Sequence, residues 1–599
     1  MNTMDTHSFH IPVMGIAYTI DTPLKVAHYG ISSVISLVDD ILIERMREFY
    51  SIKFDLPFQA ISDKIEDFRA KRITAYLNLL DTLIKEKVDE VKKSISKKGL
   101  ELEKYFSMLP DSSDLRKRFN QVLDNYSLKD AINWIQDNLP VGSIDVNIMT
   151  KLDKENYKGS EQLPIEFNDA HAALRGFAES DLSSSIVLSA GMNPRLYSYF
   201  EKFKDFFPNQ SGELKKKIIL KVSDYRSALI QGKFLAKKGL WISEYRIESG
   251  LNCGGHAFAT QGYLLGPILE EFKVNRENLI ITLYDIYSKA LKEKNITPPE
   301  NPYQIKVTAQ GGVGTSSEHQ FLLDQYKLDS VGWGTPFLLV PEICNIDDNT
   351  LSLLVKAKED DLYVSDISPL GVPFNTVKGN SKDIERDKLI SEGKPGSPCF
   401  KKFASLNKEF TERSICVASR QYQKRKISEL ENLGLSLEEY KKQYDAIVEK
   451  SCICNGLGTS VLITNNMSTT MEGSNVSVCP GPNIAYFDEV VSLSRMVDHI
   501  YGRTNLIKRT DRPNMFLKEL EIYIEYFAKK LKESENLVSS KQLEYFEEFH
   551  KNLNDGIEYY NKLFSQLQHN LGVKKDDLLK VLNQMKKRLN SIMVVQPAS

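Results

Sequence analysis

The chain has 599 residues, long enough for several domains and a large buried core. A hydrophobic fraction of 41% and a charged fraction of 26% are those of an ordinary globular protein. Its 78 basic and 80 acidic residues nearly cancel, net −2, which argues against a dedicated nucleic-acid or membrane-surface protein.

No run of 18 or more apolar residues occurs, so no transmembrane helix is expected. The N-terminal MNTMDTHSFHIPVMG has no basic region followed by an apolar one and does not read as a signal peptide. Seven cysteines, an odd number without an export signal, predict reduced thiols and a cytoplasmic protein.

In chain order, His10 to Ile16 reads as a first strand. Thr22-Pro23 opens a helix that Gly30 ends, and Ile31 to Leu37 reads as a second strand. From 41 to 138 the sequence turns charged, long-periodic and poor in glycine, with the clearest helix at 64–98. This is a helical insertion after the second strand, either a lid over a site or a scaffold extension and oligomer surface.

Strand signals resume at 143–150, 184–190, 217–222, 240–247, 305–309 and 329–333, with helical stretches at 165–180, 195–206 and 224–237 between them. Eight strands alternating with helices predict an α/β fold, a parallel (β/α)8 TIM barrel. The barrel is expected over 1–344, a cysteine-containing annex over 345–484 and a helical region over 485–599. The late helices repeat Tyr and Phe at three- and four-residue spacing, the pattern of a bundle core.

Two stretches carry candidate chemistry. The first is IKVTAQGGVGTSSEHQFLLDQYKLDSVGWGTPFLLVPE, residues 305–342. Gly311, Gly312 and Val313 follow one strand, Gly334 and Thr335 follow the next, and Ser316 and Ser317 are candidate helix caps. Glycine turns after adjacent barrel strands expose backbone N–H groups that suit a phosphate, and the last two strands are the usual place for one. The second is RIESGLNCGGHAF, residues 246–258. Gly254 and Gly255 let the backbone pass under a flat ligand, and His256 becomes a candidate acid–base residue.

The sequence resembles the nitronate monooxygenase (2-nitropropane dioxygenase) family of FMN-dependent TIM-barrel enzymes. The resemblance rests on Ile11-Pro12-Val13-Met14 and Thr22-Pro23, on Gly254-Gly255-His256, on Gly311-Gly312-Val313, and on Gly334-Thr335-Pro336-Phe337 with Glu342 beyond. It covers the first two strands and residues 217–342. It implies FMN as cofactor, with its phosphate on the N–H groups of Gly312, Val313, Gly334 and Thr335, its ring near Met14, Gly15 and Ile16, and Gly254, Gly255 and Gly311 among the cofactor-binding residues. It further implies Lys221 on the pyrimidine side and His256 as base toward a small acidic carbon substrate, with O2 or NAD(P)H as co-substrate. The chain departs from the family at Asn252-Cys253 before the Gly-Gly-His turn and at Gly15-Ile16-Ala17 in the first strand. A sister branch, the FMN enoyl reductases of polyunsaturated fatty acid and polyketide synthases, is the alternative. An inactive scaffold that binds a phosphorylated ligand is another.

Five cysteines fall late: Cys399, Cys416, Cys452, Cys454 and Cys479. Their spacing is neither that of a zinc ribbon nor that of a ferredoxin, so they read as unpaired buried thiols, with no metal assigned.

Overall fold

Short β-branched runs separated by helices bury both faces of a parallel sheet, and here they do so in a ring. The computed structural model describes residues 6–93, 100–125, 134–135, 138–252, 261–534, 539–567 and 571–592. Eight parallel strands are β1 (Phe9–His10), β2 (Ser33–Ser36), β3 (Ile144–Ile148), β4 (Ser185–Leu188), β5 (Lys217–Val222), β6 (Ile242–Glu248), β7 (Lys306–Gln310) and β8 (Ser330–Gly332). They pair in chain order, and β8 returns to β1. Ile11 donates its N–H to the Ser32 carbonyl at 2.9 Å and bridges to Ser33, drawing together the edges of β1 and β2. The result is a nearly closed TIM-like α/β barrel.

All eight expected strands are present, but β1 is shorter than the run His10 to Ile16. Pro12 has no N–H to give a ladder, and the chain leaves the sheet there. The barrel's polarity inverts the usual reading of strand alternation. On β6, Tyr245 points outward, its hydroxyl donating to the Ala228 carbonyl of the helix Tyr225–Ala236. Glu244, Arg246 and Glu248 alternate with it and share the opposite face, toward the lumen. The lumen is therefore polar above and below a small apolar layer of Val13, Val34, Val187 and Ile219.

The helix expected at 64–98 is described as Phe68–Lys93. It buries Ile73, Tyr76, Leu77, Leu80 and Leu83, and Thr74 donates to the Gly176 carbonyl of the helix Asp169–Ala178 at 2.8 Å. The element packs on the barrel's flank, and among the described residues of 41–138 none lines the cavity described below. A 29-residue helix, Leu265–Glu293, follows β6. The stretch 375–400, rich in loop-forming residues, contains the helix Ser381–Ser391, which is capped by Asn380 accepting from the Asp383 N–H. Beyond 485 the chain is helical at Leu493–Ile500, Met515–Ser534, Ser540–Ser565 and Lys575–Ser591. Among the described residues only Leu437–Thr464 is long and apolar enough to cross a membrane, and most of it is buried in the fold.

Candidate functional site

A cavity of about 690 Å³ opens at the C-terminal mouth of the barrel. Its floor and walls come from the ends of β1 to β6: Gly15, Ser36, Asn147, Ser189, Lys221 and Glu248. Its roof comes from residues 369–374, Ala404 and the helix Ile453–Thr464. This is the size of a pocket that encloses a drug-sized ligand.

Lys221 is not a solvated lysine. It lies inside the barrel mouth at 7% exposure, with Nζ 3.1 Å from Oε1 of Glu248. The same oxygen accepts from Asn252 Nδ2 at 2.9 Å and Gln310 Nε2 at 2.5 Å. The second oxygen, Oε2, is buried with no partner among the described residues, and so is Asn147 Oδ1. A buried acceptor without a donor costs about 1–3 kcal/mol, so two of them on a cavity wall mark a place where a ligand donor fits. Deeper in the lumen, burial and the Arg246 charge hold His10 neutral, far below the ordinary histidine range. Burial pushes the Asp145 carboxyl upward.

The two glycine turns lie side by side because Gly332 of β8 is in register with Gln310 of β7. The C-terminal region fastens both turns from behind. Asn483 Nδ2 donates to the carbonyls of Gly312 at 2.6 Å and Val313 at 2.7 Å. Arg512 Nη2 donates to the Gly312 carbonyl at 3.0 Å and pairs through both Nη atoms with Glu318. The Gly481 N–H donates to Thr335 Oγ1 at 3.0 Å. The carbonyl side of the first turn is thus taken. On the other side, the N–H groups of Gly312, Val313, Gly334 and Thr335 have no acceptor among the described residues. Buried N–H groups without acceptors are rare, and a set of them on two adjacent turns is a donor pattern that suits an anion. The helix Ser316–Tyr326 begins just beyond, capped by Thr315 rather than by Ser316 or Ser317, and Arg512 neutralises the Glu318 carboxylate in its first turn.

Gly312 has φ +86°, and a Cβ there would lie 2.5 Å from Leu251 Cδ1, so only glycine fits. Gly311 is half-buried at the same turn. Of the candidates on the first strand, Gly15 lines the cavity, whereas Met14 packs into the core. Gly254, Gly255 and His256 lie outside the described residues, as does Cys253. The segment leading to them is anchored by the helix Met515–Ser534. Glu519 accepts from Ser249 Oγ at 2.7 Å and from the Leu265 N–H at 2.9 Å, and Tyr523 accepts from the Gly250 N–H at 3.1 Å. Burial pushes the Glu519 carboxyl up to about 7.

Sequence reading did not single out Glu248, Asn147, Asn483 or Arg512. The signal for Glu248 was its place at the end of β6, two residues in register from Arg246. Asn483 and Arg512 had no local signal, since they act across 170 residues or more of chain.

No family model and no curated protein matches this chain. Among solved structures it is similar to the enoyl reductase domain of MlnA from the macrolactin biosynthesis cluster of Bacillus amyloliquefaciens, at 13% identity and a TM-score of 0.30, covering 70% of this chain and 88% of that one. A score that low carries no argument about this chain's chemistry.

Proposed function

We propose that this chain is an FMN-dependent oxidoreductase. The observation that carries the reading is the set of acceptor-free N–H groups of Gly312, Val313, Gly334 and Thr335 on the turns after β7 and β8, at the same mouth of the barrel as the cavity floored by Lys221 and Glu248, although those turns do not line that cavity. The cradle residues would hold the phosphate, with Gly15, Asn147, Lys221 and Glu248 around the ring. When bound, the flavin supplies the redox chemistry. Lys221 brings a positive charge to the cavity floor, and Glu248 Oε2 and Asn147 Oδ1 offer acceptors to ring or substrate N–H groups. His256, four residues after Asn252, is the residue assigned to move the substrate proton, on the sequence pattern alone.

On the nitronate monooxygenase reading the substrate is a small carbon acid and the electron acceptor is O2. The alternative, NAD(P)H-dependent reduction of an enoyl thioester, is favoured by the cavity's size and by apolar walls that include Met149, Met192, Ile230 and Leu370. The visible absorption spectrum of the purified protein tests the cofactor. Flavin bands are expected; a colourless protein that takes up no FMN leaves the inactive scaffold. Oxygen uptake with alkyl nitronates and no NAD(P)H supports the monooxygenase, and NAD(P)H oxidation dependent on an enoyl thioester supports the reductase.

A further inference from the structure

Three of the late cysteines converge behind the cavity roof. Cys399, Cys416 and Cys454 share one small apolar cluster with Leu152 and Ala404, and Cys454, Leu152 and Ala404 also line the cavity. Among the described residues no group of three or more His, Cys, Asp or Glu side chains is arranged to hold a metal ion. The six described cysteines form no disulfide.

Within the cluster, Cys399 and Cys416 are a pair. Both pack into that one cluster, and each is the foremost electrostatic neighbour of the other. The backbone also brings the two segments together close by: the Ser397 N–H donates to the Ala418 carbonyl at 3.1 Å, and the Arg420 N–H donates to the Ser397 carbonyl at 3.0 Å. Gly396, at φ +83°, lets the two segments touch, since a Cβ there would lie 2.7 Å from Arg420 Cα.

The two sulfurs are not equivalent. Cys399 is half-buried, and the Lys402 N–H, the Ser405 hydroxyl and the Lys402 charge favour its thiolate. Together with the neighbouring Cys416, these hold its thiol below the ordinary cysteine range. Cys416 is buried, and the neighbouring Cys399 thiolate and burial push its thiol up. A half-buried cysteine whose thiolate is favoured, beside a buried cysteine that keeps its proton, is the arrangement of an attacking and a resolving cysteine.

We propose that Cys399 and Cys416 are a redox-active dithiol that exchanges with small-molecule disulfides of the glutathione type. The Cys399 thiolate attacks one sulfur of the disulfide, forming a mixed disulfide and releasing one thiolate. Cys416 then gives up its proton to the released thiolate, and its sulfur attacks Cys399 Sγ. The second small thiolate leaves and takes a proton from solvent, and the Cys399–Cys416 disulfide closes. Two electrons pass from the protein dithiol to the small disulfide. The bridge would clamp the base of the segment that carries Ala404 into the cavity wall.

The test is peptide mapping of reduced full-length protein after exposure to glutathione disulfide at neutral pH. The expected product joins the peptides carrying Cys399 and Cys416 and removes two alkylatable thiols. In Cys416→Ser, glutathione should accumulate on Cys399 instead, at least about tenfold faster than on Cys452 or Cys454. An unmodified pair, a bridge formed between other cysteines, or iron or zinc co-purifying with unreactive thiols would each overturn the proposal. The wild-type map decides the matter even if a serine variant folds poorly.

Discussion

Gly312→Val places a branched side chain where the structure has none to spare. Its Cβ would lie 2.5 Å from Leu251 Cδ1 and 3.1 Å from Leu251 Cβ, at a φ of +86°. The backbone strain costs about 1–3 kcal/mol. Overpacking against Leu251 adds about 1–3 kcal/mol. The sum, ~2–6 kcal/mol, falls within the total stability of a typical domain, so the turn should shift rather than the barrel unfold. A shifted turn misaligns the N–H groups of Gly312 and Val313. Each charge-assisted bond to a phosphate contributes about 1.5–3 kcal/mol, so losing both weakens FMN binding by roughly a hundredfold or more. Flavin fluorescence quenching measures the affinity, and circular dichroism verifies the fold. In Leu251→Ala/Gly312→Ala the 2.5 Å clash with Cδ1 is removed, leaving the tight 3.1 Å approach to the Cβ of residue 251 and the φ strain, so the affinity should fall between wild type and Gly312→Val. A folded Gly312→Val protein that binds FMN within about threefold of wild type would refute the assignment of the cradle.

Lys221→Met leaves the buried Glu248 carboxylate without its cation. Loss of roughly 3–5 kcal/mol of stability is expected in chemical denaturation, together with weaker flavin binding. His256→Ala should lower turnover by roughly a hundredfold or more while flavin stays bound, and full activity would dismiss His256 as the base. Glu519 gives a pH signature. Its folded carboxyl holds a proton to about pH 7, whereas the ordinary value is 4.5, so between those limits the folded state binds more protons than the unfolded chain. Stability should therefore fall as pH rises through that window, by up to ~3 kcal/mol from this group, and level off above it. In Glu519→Gln that contribution should disappear from the pH profile of thermal unfolding; an unchanged slope assigns it to other groups.

The eight strands were legible because each is a short β-branched run bounded by helices or turns, a local signal. The first was read too long, because Pro12 ends ladder pairing without ending the apolar run. Lys221 was legible as a residue on a strand, but whether it pointed in or out was not. In this barrel the polar face of each strand turns inward and helices cover the apolar face, so alternation alone cannot assign the side. The same ambiguity hid Glu248, which reads as an exposed strand end. Asn483, Arg512 and Glu519 escaped for another reason. They hold the turns after β6 and β7 from far along the chain, and no periodicity or spacing near the turns announces such partners. The insertion at 41–138 was legible as helices, yet its place on the flank depended on the small residue Gly176, which lets Ile73 and the Ala70 carbonyl approach.

The phosphate is the part of the ligand that the amide cradle recognises, so comparing FMN with riboflavin isolates it. Titration of flavin-free protein with each, followed by fluorescence quenching, should show FMN binding at least about a hundredfold more tightly, as expected for several charge-assisted N–H bonds. Equal affinities, or no binding of either, would contradict the account.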